Sequence, residues 1–169
     1  MYRAVVVVAF LCAMLAAAPD TAPAATDTAM SSANGFVRAR GGRFVTADGR
    51  PLVLKGINLG NWLMPEGYMF DFEVAKSPRA IYAATERLLG RADSEAFWRR
   101  FRQTFIRRED INLIASLGFN TVRVPLHYAL FEGSGDADGW ALLDRLIEWC
   151  EAAGVYVVLD MHAAPGGQT

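Results

Sequence analysis

The chain has 169 residues, and 17 Lys and Arg against 18 Asp and Glu leave a formal net charge of −1. That balance excludes the one-signed basic surface of a nucleic-acid binder. A hydrophobic fraction of 53% with 21% charged residues excludes disorder along the whole chain. Two cysteines, Cys12 and Cys150, are too few for a disulfide framework.

Residues 1–24 have the layout of a signal peptide. Arg3 is a short basic start, residues 4–18 are an unbroken apolar run, and Ala22-Pro23-Ala24 offers small residues for cleavage before Ala25. The run is shorter than the roughly 20 residues that span a bilayer, and Pro19 and Asp20 follow at once. The expectation is export, extracellular or periplasmic, with no stable membrane anchor. Residues 25–34, small and polar, read as a flexible leader. The remainder, 35–169, reads as one partial domain. Cleavage would leave Cys150 as the single thiol, on the apolar side of a predicted helix, where it reads as a small buried hydrophobe.

Short alternating segments follow at 36–39 and 43–46, then a turn at Asp48-Gly49 and a further segment at 52–54, which predicts a hairpin about the Asp-Gly pair. Residues 55–59 predict a buried strand ending in Asn58. A long irregular stretch with Pro65, Gly67 and Pro78 comes next, and long loops are usually functional. Helices are expected over 80–89, stopped by Gly90, and from about Ser94 as an N-cap through Phe97, Trp98, Phe101 and Phe105, whose helical spacing reads as core. Another is expected over 108–117, with Ile111, Ile114, Ala115 and Leu117 inward and Gly118 as the stop. Strand 121–125 follows. A polar loop at 133–139, a helix over 140–153 with Leu143, Leu146, Ile147 and Cys150 inward, and a strand over 155–161 complete the order. Strands alternating with helices through very short links predict a parallel α/β arrangement. Periodicity alone leaves a doubly wound sheet and a closed barrel both open.

Each of the three parallel strands has a polar exception near its C-terminal end: Asn58, Arg123 and His162. That is the edge where α/β folds bind ligands. Alternation places Arg123 with Thr121 and Pro125 on one side of its strand, and Asp160 with His162 on one side of the next. Arg123 is either a buried structural ion pair or a site group whose donor fork orients a carboxylate. His162 is either a satisfied histidine or a site member before the Pro165-Gly166-Gly167 loop; Asp160 is its partner or a filler of the interior. His127 reaches the same edge or solvent. Trp62 offers a ring face for a sugar or simply packs, and Glu66 is a candidate acceptor for hydroxyls.

Other chemistries lack their residues. Gly166-Gly167 has no following Lys-Ser/Thr, Gly56 to Gly60 does not complete a dinucleotide fingerprint, and no Gly-x-Ser-x-Gly elbow occurs. With two histidines, no His pair at helical spacing and no cysteine cluster, zinc has no recognisable site.

Three segments together resemble glycoside hydrolase family 5, particularly its cellulase and exo-β-1,3-glucanase-like members. They are Lys-Gly-Ile-Asn-Leu-Gly-Asn-Trp-Leu at 55–63, Thr-Val-Arg-Val-Pro-Leu-His-Tyr at 121–128, and Leu-Asp-Met-His-Ala-Ala-Pro-Gly-Gly-Gln at 159–168. The resemblance implies a (β/α)8 TIM barrel, of which this chain would hold about the first three strands after a small β-hairpin. It implies retaining hydrolysis of β-glycosidic bonds in a β-glucan-type substrate by two Glu, one after the fourth barrel strand and one on the seventh. Both would lie beyond Thr169, so no catalytic residue is assigned within the chain, and the chain reads as an inactive N-terminal fragment. By the same resemblance Arg123 matches the second-strand arginine near the nucleophile and His162 the third-strand histidine lining the sugar site. Glu66 matches an acid contacting the terminal sugar, and Tyr128 an aromatic at the mouth. Asn61 and His127 stand where the fungal exo-glucanases tend to have Gly. No cofactor, metal or protein partner is implied, only a β-linked carbohydrate. A non-catalytic carbohydrate-binding protein on the same barrel is the alternative.

Overall fold

The computed structural model describes residues 5–7, 36–132 and 139–166. The expected leader and cleavage site, apart from Val5–Val7, and the polar loop at 133–138 lie outside the described residues. Among the described residues no helix is long and apolar enough to cross a membrane.

In chain order the elements are β1 (Val5–Val7), β2 (Arg38–Arg40), β3 (Arg43–Val45), β4 (Gly56–Asn58), α1 (Pro78–Leu89), α2 (Arg91–Thr104), α3 (Arg108–Ser116), β5 (Thr121–His127), α4 (Gly139–Ala153) and β6 (Tyr156–Ala163). The hairpin is β2–β3, and its two-residue loop is Gly41-Gly42, both at positive φ. Glycine adopts that pair of conformations without strain, and they give the turn the twist of its strands. The expected Asp48-Gly49 turn exists, but beyond it the chain makes only the isolated bridge Val45↔Pro51.

The main sheet has the order β1-β6-β5-β4, and every neighbouring pair is parallel. Val122, Val124 and Leu126 of β5 and Val157 of β6 are buried in one cluster with Ile111 and Ile114 of α3 and Leu142, Leu143, Leu146 and Cys150 of α4. Both crossover helices therefore cover the same face of the sheet. A doubly wound sheet would send helices to both faces, so consecutive strands with their helices on one side form a segment of barrel wall. Burying each large aliphatic contributes about 1.5–3 kcal/mol, which makes this layer the core.

Several boundaries differ from expectation for local reasons. Helix α1 starts earlier, because the Ser77 hydroxyl accepts from the Ala80 N–H at 3.3 Å and Pro78 suits the first turn. Ser94 is not an N-cap: it lies buried inside α2, which Gly90 joins to α1 alone at φ +81°. Trp98 is core, but Phe97 and Phe105 are exposed. In α3, Ile111 and Ile114 face inward as expected, whereas Leu117 is 64% exposed. Strand β4 was expected to be buried and is exposed throughout. It is the outer strand of the sheet, so only β5 covers one of its edges.

A bracket at the N-terminal end of the strands, centred on Asn120, had no sequence signature. Its Oδ1 accepts from the Lys55 N–H at 2.7 Å, its Nδ2 donates to the Val53 carbonyl at 2.8 Å, and its own carbonyl accepts from the Tyr156 N–H at 2.7 Å. One side chain and its peptide thus fix where β4, β5 and β6 begin. Gly56 sits so close to β5 that an added Cβ would meet the Thr121 carbonyl oxygen at 2.7 Å.

Candidate active site

Asn58 at the end of β4 pairs with Arg123 in the middle of β5, and Asp160 of β6 lies beside Pro125, two residues further along. Alternation sends Val122 and Val124 to the helix layer and leaves Arg123 on the opposite face. Its Nη2 reaches Asp160 Oδ2 at 2.5 Å and comes within 3.2 Å of His162 Nδ1, while Nη1 is 3.4 Å from Asn58 Oδ1. His162 Nδ1 is itself 2.8 Å from the same Asp160 oxygen. Asp160 and His162 are two residues apart on β6, so the pleat places both on this face. The side chains are 38% (Arg123), 21% (Asp160) and 25% (His162) exposed, enough for a ligand to reach them and enough burial to need partners.

Chemically, the cluster offers donors and acceptors that can orient a bound group. Hydrolysis with retention needs two carboxyl groups about 5–5.5 Å apart. Asp160 is the one carboxylate joined to this cluster among the described residues, and its Oδ2 already faces both Arg123 and His162. Arg123 keeps N–H donors beyond those it directs at Asp160 and Asn58.

The remaining sequence candidates do not join this network among the described residues. Trp62 is 2% exposed, and its indole N–H donates to the Arg102 carbonyl at 2.7 Å. It packs, and offers no free face for a sugar. Glu66 is half-buried after β4, its backbone N–H donating to Asn61 Oδ1 at 3.0 Å. Asn61 is left-handed at φ +63°, a conformation that Gly and Asn adopt most readily, so an Asn here keeps the backbone a Gly would give. His127 and Tyr128, at the end of β5, stack with ring centroids 5.0 Å apart. The Ala129 N–H donates to His127 Nδ1 at 3.2 Å, and burial holds the His127 pKa below its usual value. Asp160 was the undecided residue of the sequence reading, and the Asp-x-His spacing in a strand is the feature that could have decided it. Cys150 is buried, its thiol pushed up to about 12 by desolvation, and is chemically inert.

Residues 84–168, half of the chain, match the cellulase family, glycosyl hydrolase family 5. The chain belongs to glycosyl hydrolase family 5. It is 33% identical over 138 residues to a β-xylosidase of Phanerodontia chrysosporium, a match covering 79% of this chain and 29% of that protein. It is 35% identical over 132 residues to a probable glucan 1,3-β-glucosidase A of Aspergillus terreus, covering 75% and 32%. The chain thus spans about a third of the length of these relatives. The structure of a rutinosidase from Aspergillus niger superposes with a TM-score of 0.56 at 23% identity, over 67% of this chain and 34% of that one. Strands β4, β5 and β6 with their helices accordingly represent part of a family 5 TIM barrel, with the barrel open on this chain.

Proposed function

We propose that this chain forms part of the substrate site of a secreted, retaining β-glycosidase acting on a β-glucan-type polysaccharide or oligosaccharide. The observation that carries the reading is the Arg123–Asp160–His162 cluster, in which Arg123 reaches from the middle of β5 to the C-terminal half of β6, toward the edge at which barrels of this kind bind substrate. Membership of family 5 and similarity to proteins described as a β-xylosidase and glucan 1,3-β-glucosidases support the substrate class. In this reading Arg123 and Asn58 hold the strand tips and orient a carboxylate supplied from elsewhere in the barrel. His162 contacts a sugar hydroxyl, and Glu66, His127 and Tyr128 line the mouth. The acid/base and nucleophile are two Glu outside these 169 residues, and residues 1–24 direct export.

The test is to sequence the source DNA past the codon for Thr169, express the whole open frame, and assay it on aryl β-glucosides, aryl β-xylosides and laminari-oligosaccharides beside the 169-residue chain. The expected result is turnover with retained anomeric configuration by the longer product alone. Glucan binding without turnover by the longer product would favour a carbohydrate-binding role, and turnover by the 169-residue chain would overturn the division of labour.

A further inference from the structure

The contacts around His162 determine where its imidazole proton sits. Asp160 Oδ2 has two neighbours, Arg123 Nη2 and His162 Nδ1. An ionised carboxylate only accepts hydrogen bonds and a guanidinium only donates them. If Nδ1 carries the proton, Oδ2 accepts from both neighbours, one on each lone pair. If Nδ1 instead accepted from Arg123 at 3.2 Å, its lone pair would confront a carboxylate oxygen at 2.8 Å. The shorter contact therefore sets the proton, and the Arg123 approach is a close packing of two nitrogens. Nε2, on the far side of the ring, has no protein partner among the described residues and is not a buried, unpartnered atom. It is an open acceptor.

We propose that Asp160 is a positioning residue that holds His162 with its proton on Nδ1, leaving Nε2 to accept a hydrogen bond from a ligand hydroxyl. The tautomer follows from the contacts alone. The identity of that hydroxyl as a sugar hydroxyl rests on the glycosidase reading above. A ligand group that can only accept would find no donor at Nε2, so Asp160 acts on ligand choice through the ring without touching the ligand.

His127 provides an internal contrast. Its Nδ1 accepts from the Ala129 N–H, so its neutral ring carries the proton on Nε2. The chain's two histidines are thus expected as opposite tautomers.

The experiment is magic-angle-spinning NMR of the full 169-residue chain labelled with 15N-histidine, at about pH 8, where an ordinary histidine is neutral. His127→Gln assigns the two rings. The expected spectrum of the wild-type chain has a protonated, pyrrole-type Nδ1 for His162 and a bare, pyridine-type Nδ1 for His127. Asp160→Leu frees Arg123 to donate to Nδ1, so the His162 proton is expected to move to Nε2 while the His127 pattern stays as it was. A wild-type His162 with its proton on Nε2, or a variant that keeps it on Nδ1 with His127 unchanged, would overturn the proposal. If the variant loses the His127 pattern as well it has lost its fold, and the wild-type spectrum alone decides. No carbohydrate enters this measurement, so failure of the glycosidase assay and failure of the tautomer assignment are separate events.

Discussion

Two polar groups of this chain, Thr85 of α1 where it faces α2 and Arg123 of β5, differ in how much of their hydrogen-bonding capacity the fold consumes. The Thr85 hydroxyl lies 2.9 Å from the Tyr82 carbonyl, accepts from the Trp98 indole N–H at 2.8 Å, and meets the Ser94 hydroxyl at 3.0 Å. It stands beside packed rings, with Tyr82 and Phe101 each edge-on to Trp98, and nothing of it is left for a ligand. Arg123 offers five N–H donors and directs only part of them at Asp160 and, at long range, Asn58. Polar groups enclosed by aromatic rings hold two helices together, whereas polar groups at an open strand edge retain capacity that a ligand can use.

The variant with the largest expected effect removes what joins the two regions. Trp62 belongs to the core cluster of the sheet, and its indole N–H is bonded to the carbonyl of Arg102 in α2. Trp62→Ala is expected to cost about 3–5 kcal/mol in urea unfolding and to raise proteolysis near Gly90. A loss below about 1 kcal/mol would mean that the helical pair and the sheet are stabilised independently. Thr85→Val, which strands the Trp98 N–H and the Ser94 hydroxyl, is expected to cost about 2–3 kcal/mol with carbohydrate binding by the longer product unchanged. Arg123→Ala should show the reverse pattern. Its half-open ion pair is worth about 1–2 kcal/mol to stability, while oligosaccharide affinity, read by calorimetry on the longer product, should fall at least about tenfold. Equal effects of Thr85→Val and Arg123→Ala on affinity would dissolve the contrast.

The smallest expected effect is a slope with pH. Burial lowers the His127 pKa in the folded chain, so the unfolded chain binds the proton more readily. Stability from this group is complete above the unfolded value near 6.5 and is lost as pH falls through the folded one. A proton on Nδ1 would also displace the Ala129 N–H. Denaturation midpoints measured from neutral pH downward should therefore fall, and His127→Gln should flatten that part of the profile.

The strands β5 and β6 were legible because neighbours on both sides and helices above make them nearly continuous apolar runs, interrupted only at Arg123, Asp160 and His162. The same apolar reading misjudged β4, since exposure depends on what lies beyond a strand's free edge and sequence periodicity carries no such information. Gly41-Gly42 was overlooked in favour of Asp48-Gly49, although both are turn pairs. Which one makes the ladder depends on the partner strand. Placing Arg123, Asp160 and His162 on one face needed only the period of two. Finding that Trp62 spends its indole N–H on Arg102, or that Arg123 meets Asp160, needed contacts between residues 40 and 37 positions apart in sequence.

The ladder between β5 and β6 runs in regular steps from Thr121↔Tyr156 to Pro125↔Asp160 and then shifts, so that His127 pairs with Ala163. Past Asp160, β6 advances three residues while β5 advances two, and β6 carries the extra one. The body of the ladder is fixed before that irregularity, which makes the two parts separable modules. A residue gained or lost after Asp160 would shift the strand tip that carries His162 without altering a single pair below it. A bulge placed there lets the strand tip change length on a wall whose strand pairing stays the same.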